Sequence, residues 1–244
     1  MTVHGCDTSK YQTPINAVTG WSRGLRFAAL RVSIGDYYTD PTLRLHWDLY
    51  KAAGFLVTGY MVVAPADSYG RKISAAAHLS RFAHSVVGLK PDLPWVMDSE
   101  LERGQTRQYI TSITKDVALG LNTMQGRMPI CYTRQSWWDA WINPDPLWPQ
   151  LDLWAARYAE GLTGPWSDGN YVFRDWDKWT LWQYTSHGNG PFYGVTSLDL
   201  DLDWFNGTEA DLYAYAGQIA PISLEQKVAT LWREAKIHGW NLEP

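Results

Sequence analysis

Eight short apolar runs recur along one chain of 244 residues, and they leave few folds open to it. The runs are VHGCD (3–7), FAALRVSI (27–34), FLVTGYMVV (55–63), LPWVMDSE (93–100), MPICYT (128–133), LDLWAARY (151–158), WTLWQYT (179–185) and SLDLDLDWF (197–205). Between the early runs, the stretches 42–53, 74–87 and 106–123 carry apolar residues at helical spacing. The later connections are rich in Gly, Pro, Asp and Asn and read as loops. Strand, helix and strand in alternation predicts a single parallel α/β barrel of the TIM-like kind, poor in helices over its last third. One barrel accounts for residues 1–216. Residues 217–223 (GQIAPIS) read as a linker, and 224–244 as a C-terminal helical extension. Its helix over 224–240 carries Leu224, Val228, Leu231 and Ala235 on one stripe. That helix either docks on its own barrel or serves self-association or attachment to a partner.

Composition removes several classes of function. A net charge of −4 without a basic run gives no footprint for nucleic acid. No segment approaches the roughly 18 apolar residues of a membrane span, and the N-terminus lacks the basic stretch and apolar core of a signal peptide. Cys6 and Cys131 each lie in an apolar strand-like run and read as buried free thiols. The 15 Trp and 14 Tyr exceed what a core of this size needs, so some rings are expected on a working surface suited to sugar faces.

The chemistry is carried by carboxylates. In PWVMDSE an apolar strand ends in Asp98 and Glu100, and period-two alternation puts both on one face. The C-terminal ends of barrel strands open onto the active-site mouth, so acids are expected there to work. Asp7 closes the first run, and Asp199, Asp201 and Asp203 alternate with leucines in the last. A calcium loop would need Gly at its sixth position and Glu at its twelfth, where this chain has Trp204 and Ala210. No metal-ligand spacing, phosphate-cradling glycine motif or cofactor motif is present, so neither metal nor cofactor is expected. Paired carboxyls suit glycoside hydrolysis, in which one protonates the leaving oxygen and another supports the oxocarbenium-like centre. Glu100 has the longer reach and is the candidate acid, its proton held by the like charge of Asp98.

These segments together resemble glycoside hydrolase family 25, the muramidases. GCDTSKYQ (5–12) matches the family's opening motif and carries its first active-site Asp onto Asp7, Asp98-Ser99-Glu100 matches its central D-x-E, and LDLDWFNG (200–207) places its last Asp on Asp201. LWAARY and Trp182-Gln183-Tyr184 match two further motifs. The resemblance implies a flattened barrel of eight strands with about five helices. It also implies a lysozyme that cleaves the β-1,4 bond between N-acetylmuramic acid and N-acetylglucosamine in peptidoglycan. Tyr60, Arg31, Trp154, Tyr158 and Trp182 are then the candidate substrate-binding residues, with Asp7 and Asp201 setting the charge around Asp98 and Glu100. The chain departs from the family in RVSIG (31–35), where Arg31 and Ile34 replace Lys and Glu, and at Met61-Val62, where the family has His-Phe. A non-catalytic wall-binding barrel is the alternative reading. With no signal peptide expected, a wall-directed enzyme fits a phage or prophage endolysin made in the host cytoplasm and released at lysis.

Overall fold

The computed structural model describes residues 2–158, 160–169 and 173–220. The helix expected over 224–240 lies outside them, as do residues 221–223 of the expected linker. In chain order the strands are β1 (Val3–Thr8), β2 (Leu25–Ile34), β3 (Tyr38–Thr39), β4 (Leu56–Val62), β5 (Val96–Asp98), β6 (Ile130–Thr133), β7 (Asp152–Ala156), β8 (Leu181–Asn189) and β9 (Asp199–Phe205). The helices are α1 (Ala17–Ser22), α2 (Leu43–Ala52), α3 (Ala75–Ser85), α4 (Arg107–Gln125), α5 (Gln135–Trp141) and α6 (Glu209–Tyr215). Eight strands close a barrel in the order β1-β2-β4-β5-β6-β7-β8-β9, with β9 hydrogen-bonded back to β1, and β3 lies outside the ring on the end of β2.

All eight apolar runs became barrel strands, and the three periodic stretches became α2, α3 and α4. Ser74 and Thr106 cap the starts of α3 and α4 by accepting from the backbone N–H of Ala77 and Tyr109. α1, α5 and α6 have only six or seven residues each, too few turns for a hydrophobic period to register in the sequence. The barrel is not wholly parallel, as the sequence pattern suggested: β9 runs antiparallel to both β8 and β1. Only residues 190–198, holding one 3₁₀ turn, join β8 to β9. A parallel return would need a crossover of about a dozen residues or more.

The alternation of side chains sorts each strand into an outer and an inner set. Outward residues such as Cys6, Leu30, Met61, Met97, Cys131, Leu153 and Leu202 pack under the helices. Both cysteines are free and buried. The inner set is apolar at one end, where Val3, Phe27, Leu56, Ile130, Leu181 and Phe205 fill the barrel. Because β9 descends, α6 follows at that end, and Leu212 and Tyr213 close it. Thr208 and Asp211 hold the start of α6 in a reciprocal capping box.

The helix-poor third is stiffened by tryptophan. Trp138 stands edge-on to Trp148 and packs on Trp176, with indole N–H groups donating to Asp175, the Asn143 carbonyl and the Leu151 carbonyl respectively. No tryptophan among the described residues is exposed, so the surplus that suggested a sugar-facing surface serves mainly as core. No helix among them is long and apolar enough to cross a membrane.

Gly5 shows how tightly the interior is filled. A Cβ there would lie 2.3 Å from the Phe27 ring, inside van der Waals contact. Gly5→Ala is expected to destabilise the fold by about 1–3 kcal/mol in urea unfolding, the usual range for overpacking. An unchanged midpoint would mean that Phe27 swings aside freely.

Candidate active site

Above the apolar plug the inner residues turn polar, at the end where the parallel strands finish. Asp7 stands near the end of β1, Tyr60 on β4, Asp98 at the end of β5, Tyr132 on β6, Trp154 on β7, Gln183 on β8, and Asp201 near the start of the descending β9. With Glu100 and Tyr158 from the loops just beyond β5 and β7, these residues line a pit of about 240 Å³. The four carboxylates expected from the sequence are therefore brought together. Glu100 lies past the last residue of β5, yet the ladder is continued by the Ser99 N–H donating to the Tyr132 carbonyl at 2.9 Å. Thr133 Oγ1 also donates to the Ser99 carbonyl at 2.7 Å.

The register of β9 decides which acids meet. Asp201 stands opposite Asp7 on β1, and Asp203 opposite both Gly5 and Gln183. Asp203 is fully buried, accepts from the Trp154 indole N–H at 2.9 Å, and has no partner for its Oδ2. It was visible in the sequence as part of an acidic alternation, but only the register makes it a third carboxyl beneath Asp7 and Asp201.

Gln183 organises one side of the pit. Its amide nitrogen donates to Asp7 Oδ2 at 2.6 Å, and its oxygen accepts from Tyr132 Oη at 2.8 Å and from Tyr158 Oη. One amide thereby ties β6, β8 and the loop after β7 to Asp7 on β1. The W-Q-Y motif pointed to this strand, although through its tryptophan. Trp182 lies on the outer face of β8, 2% exposed, its N–H donating to the Arg157 carbonyl, and it does not line the pit. The expectation that it binds substrate is corrected by strand alternation: Gln183 faces inward, so its neighbour faces out.

The other expected contacts divide. Tyr60 lines the pit wall, and Tyr158, 53% exposed, stands at its mouth. Trp154 lines the pit too but is only 2% exposed, so it offers an edge rather than an open stacking face. Arg31 is held outside the pit by Asp40, with Nε at 3.0 Å and Nη2 at 2.9 Å, and lies against the rings of Tyr11 and Tyr38. It reaches the site through its charge.

Every carboxyl here is pushed above its ordinary range, and burial is the first cause in each case. Asp7 is raised further by the charges of Asp201 and Asp203, against the Gln183 hydrogen bond. Asp98 is raised further by Glu100, with Arg31 acting against this. Glu100 is raised by burial and lowered by Arg134. Asp201 is raised to about 6, with Glu100 adding to burial. Burial is the larger cause for both Asp98 and Glu100, and the like charges of the pair add to it. Carboxyls gathered in one buried place influence one another's ionisation, and each holds its proton to a higher pH than an isolated acid does.

A barrel that gathers raised carboxyls, tyrosines and one amide at its open end has the equipment of a glycoside hydrolase. The chain belongs to glycosyl hydrolases family 25, whose profile matches residues 6–192. It is similar to lysozyme M1 of Streptomyces globisporus, 28% identical over 228 residues that cover 89% of this chain and 72% of that protein. It is similar also to the N,O-diacetylmuramidase of a Chalaropsis species, 29% identical over 201 residues, covering 75% and 87% of the two chains. The solved bacterial lysozyme of Streptomyces coelicolor superposes with a TM-score of 0.75 at 26% identity, covering 88% and 96%. The chain is thus a glycoside hydrolase of the lysozyme class.

The raised value of Asp201 fixes the sign of one pH effect. Between its ordinary 3.8 and about 6, the folded chain binds more protons at this site than the unfolded chain, so stability falls as pH rises through that window. Asp201→Asn is expected to be about 1–3 kcal/mol more stable than the parent at pH 7 and to lose that advantage near pH 3.5, in thermal unfolding. An equal gain at both values would trace the effect to packing instead.

Proposed function

We infer that the chain hydrolyses peptidoglycan at the β-1,4 bond between N-acetylmuramic acid and N-acetylglucosamine, with Glu100 as general acid. The observation that carries this reading is the pairing of Asp98 and Glu100 at the mouth of a pit in which both are desolvated. Glu100 stands where the pit opens, with a longer side chain and partial exposure, and can reach the glycosidic oxygen of a bound glycan. Protonation by Glu100 lets the bond to the leaving sugar break while positive charge builds at the anomeric carbon.

Asp98 is the deeper of the two, and its Oδ1 is buried without a hydrogen-bond partner. An acceptor left in that state is costly until a donor arrives. The acetamido N–H of the substrate would supply one, and held by Asp98, the acetamido oxygen can attack the anomeric carbon as an internal nucleophile. Water then opens the resulting ring and gives a proton to the Glu100 carboxylate, restoring the acid. Asp201, ionised above about pH 6, adds negative charge near the cationic centre as it forms, and Gln183 fixes Asp7 against its neighbours.

Release at lysis by a phage would fit a wall-directed activity, and the alternative of a purely wall-binding barrel would leave the buried, unpartnered Asp98 oxygen without a use. Glu100→Gln and Asp98→Asn are each expected to lower the release of reducing ends from purified peptidoglycan about 10²–10⁴-fold, with folding intact by circular dichroism. Early-time proton NMR of the product should show the β-anomer first. Wild-type protein that binds walls and releases no reducing ends, or an α-anomer formed first, would overturn the corresponding part of this reading.

A further inference from the structure

The pit of about 240 Å³ is smaller than the roughly 300–1,000 Å³ usual for a ligand site, so it holds only the reacting part of a polymer. A second, larger cleft of about 570 Å³ opens directly from it, sharing Glu100, Tyr132 and Tyr158 as a common wall. Its far side is built by Arg134 and the first turns of α5 and by the end of β7 with the residue after it, and Arg134, Asp139 and Arg157 are the charged residues there. The two arginines differ in their commitments. Arg157 is engaged by Asp168, at 2.8 and 2.5 Å, and by the Pro165 carbonyl. Arg134 is exposed, and among the described residues its guanidinium has no ion pair or hydrogen bond.

Arg134 also sits where local structure does not ask for it. It is the N-cap of α5 and makes no side-chain capping bond. Ser, Thr, Asp or Asn would stabilise that position, and a cation at the positive end of a helix is mildly unfavourable. A residue that breaks a local preference beside a functional cleft points to a use in that cleft. The neighbouring pit holds several acids, each of which repels an anionic substrate whenever it is ionised, and a cation at this edge would offset that.

We propose that Arg134 makes the cleft beside Glu100 a carboxylate-binding subsite for the muramyl unit of the glycan. The carboxylate has two sources of the same chemistry: the lactyl group itself where the stem peptide has been removed, or a carboxylate of the stem peptide where it is present. The guanidinium fork suits either. This rests on the proposed glycan substrate and adds a specificity residue to it. The effect of Arg134 on Glu100 is separate: its charge lowers the acid's pKa whether or not substrate is bound.

The test compares the full chain with Arg134→Asn, a substitution that supplies a helix cap and so guards against a trivial loss of folding. KM is measured on glycan fragments bearing stem peptides and on fragments stripped of them by an amidase, each with its carboxylates free or converted to amides. The expected result is a KM for Arg134→Asn about fivefold higher than wild type on the free-carboxylate fragments and equal to wild type on the amidated ones. The fragment class that shows the difference identifies the source of the carboxylate. An equal rise on free and amidated fragments, or no rise on either, would overturn the proposal. If wild type cleaves none of the fragments, the proposed hydrolysis falls. The subsite is then decided by calorimetric Kd values for the same fragments on Glu100→Gln with and without Arg134→Asn, judged by the same pattern.

Discussion

The hydrogen-bonded ladder by which β9 closes the barrel is the constraint on which the rest of the site depends. Seven strands run one way and would leave an open sheet with two edges; the reversed β9 satisfies both, pairing with β8 and β1 at once. Its register then dictates the electrostatics. A side chain on β9 faces inward only at alternate positions, so Asp201 and Asp203 point into the barrel while Leu200 and Leu202 pack under the outer layer. A shift of one residue would exchange the two sets, burying the acids against apolar helices and placing leucines over Asp7. The apolar packing of Leu200 and Leu202 thereby holds the acids in the pit.

Gathering several carboxyls in one desolvated place raises the affinity of each for a proton, and stability is given up for it. The barrel tolerates this because its other end is filled by Phe27, Leu181, Phe205 and their neighbours, sealed by α6, so the apolar plug and the polar mouth share one closed sheet. Gln183 contributes in the same direction. By accepting from two tyrosines and donating to Asp7, it leaves no freedom over which way its amide faces, and it links the β1, β6 and β8 walls of the mouth.

Much of this was legible in the sequence, for reasons that differ from residue to residue. The strands were readable because each is a compact apolar run, and Asp98 and Glu100 because an apolar run ending in two acids at a spacing of two can only present them together. Asp7 and Asp201 followed from the motifs at the two ends of the barrel. The direction of β9 was not readable from its own residues, since alternation is the same in either sense; only the short link over 190–198 carried that information. Trp182 and Gln183 show the same limit on a smaller scale, because a tripeptide motif does not say which of its members faces the pit. The abundance of tryptophan misled for a related reason: composition records how many rings there are, while the loops of the last third, having no helices to cover them, consume those rings as core. Arg134 gave no signal at all in the sequence, because its meaning comes from a helix too short to recognise.

Burial in the barrel mouth keeps carboxyl groups protonated at pH values where isolated acids are ionised. This is tested most directly by following the side-chain carboxyl carbons of ¹³C-labelled protein by NMR from pH 3 to 9. A group of resonances titrating at about pH 6 and above is expected, Asp201 among them, returning to ordinary values when the chain is unfolded in urea. If all carboxyl carbons instead titrate between about pH 3 and 4.5, as in unperturbed side chains, the mouth is not desolvated, and the account of how Asp98 and Glu100 act is contradicted.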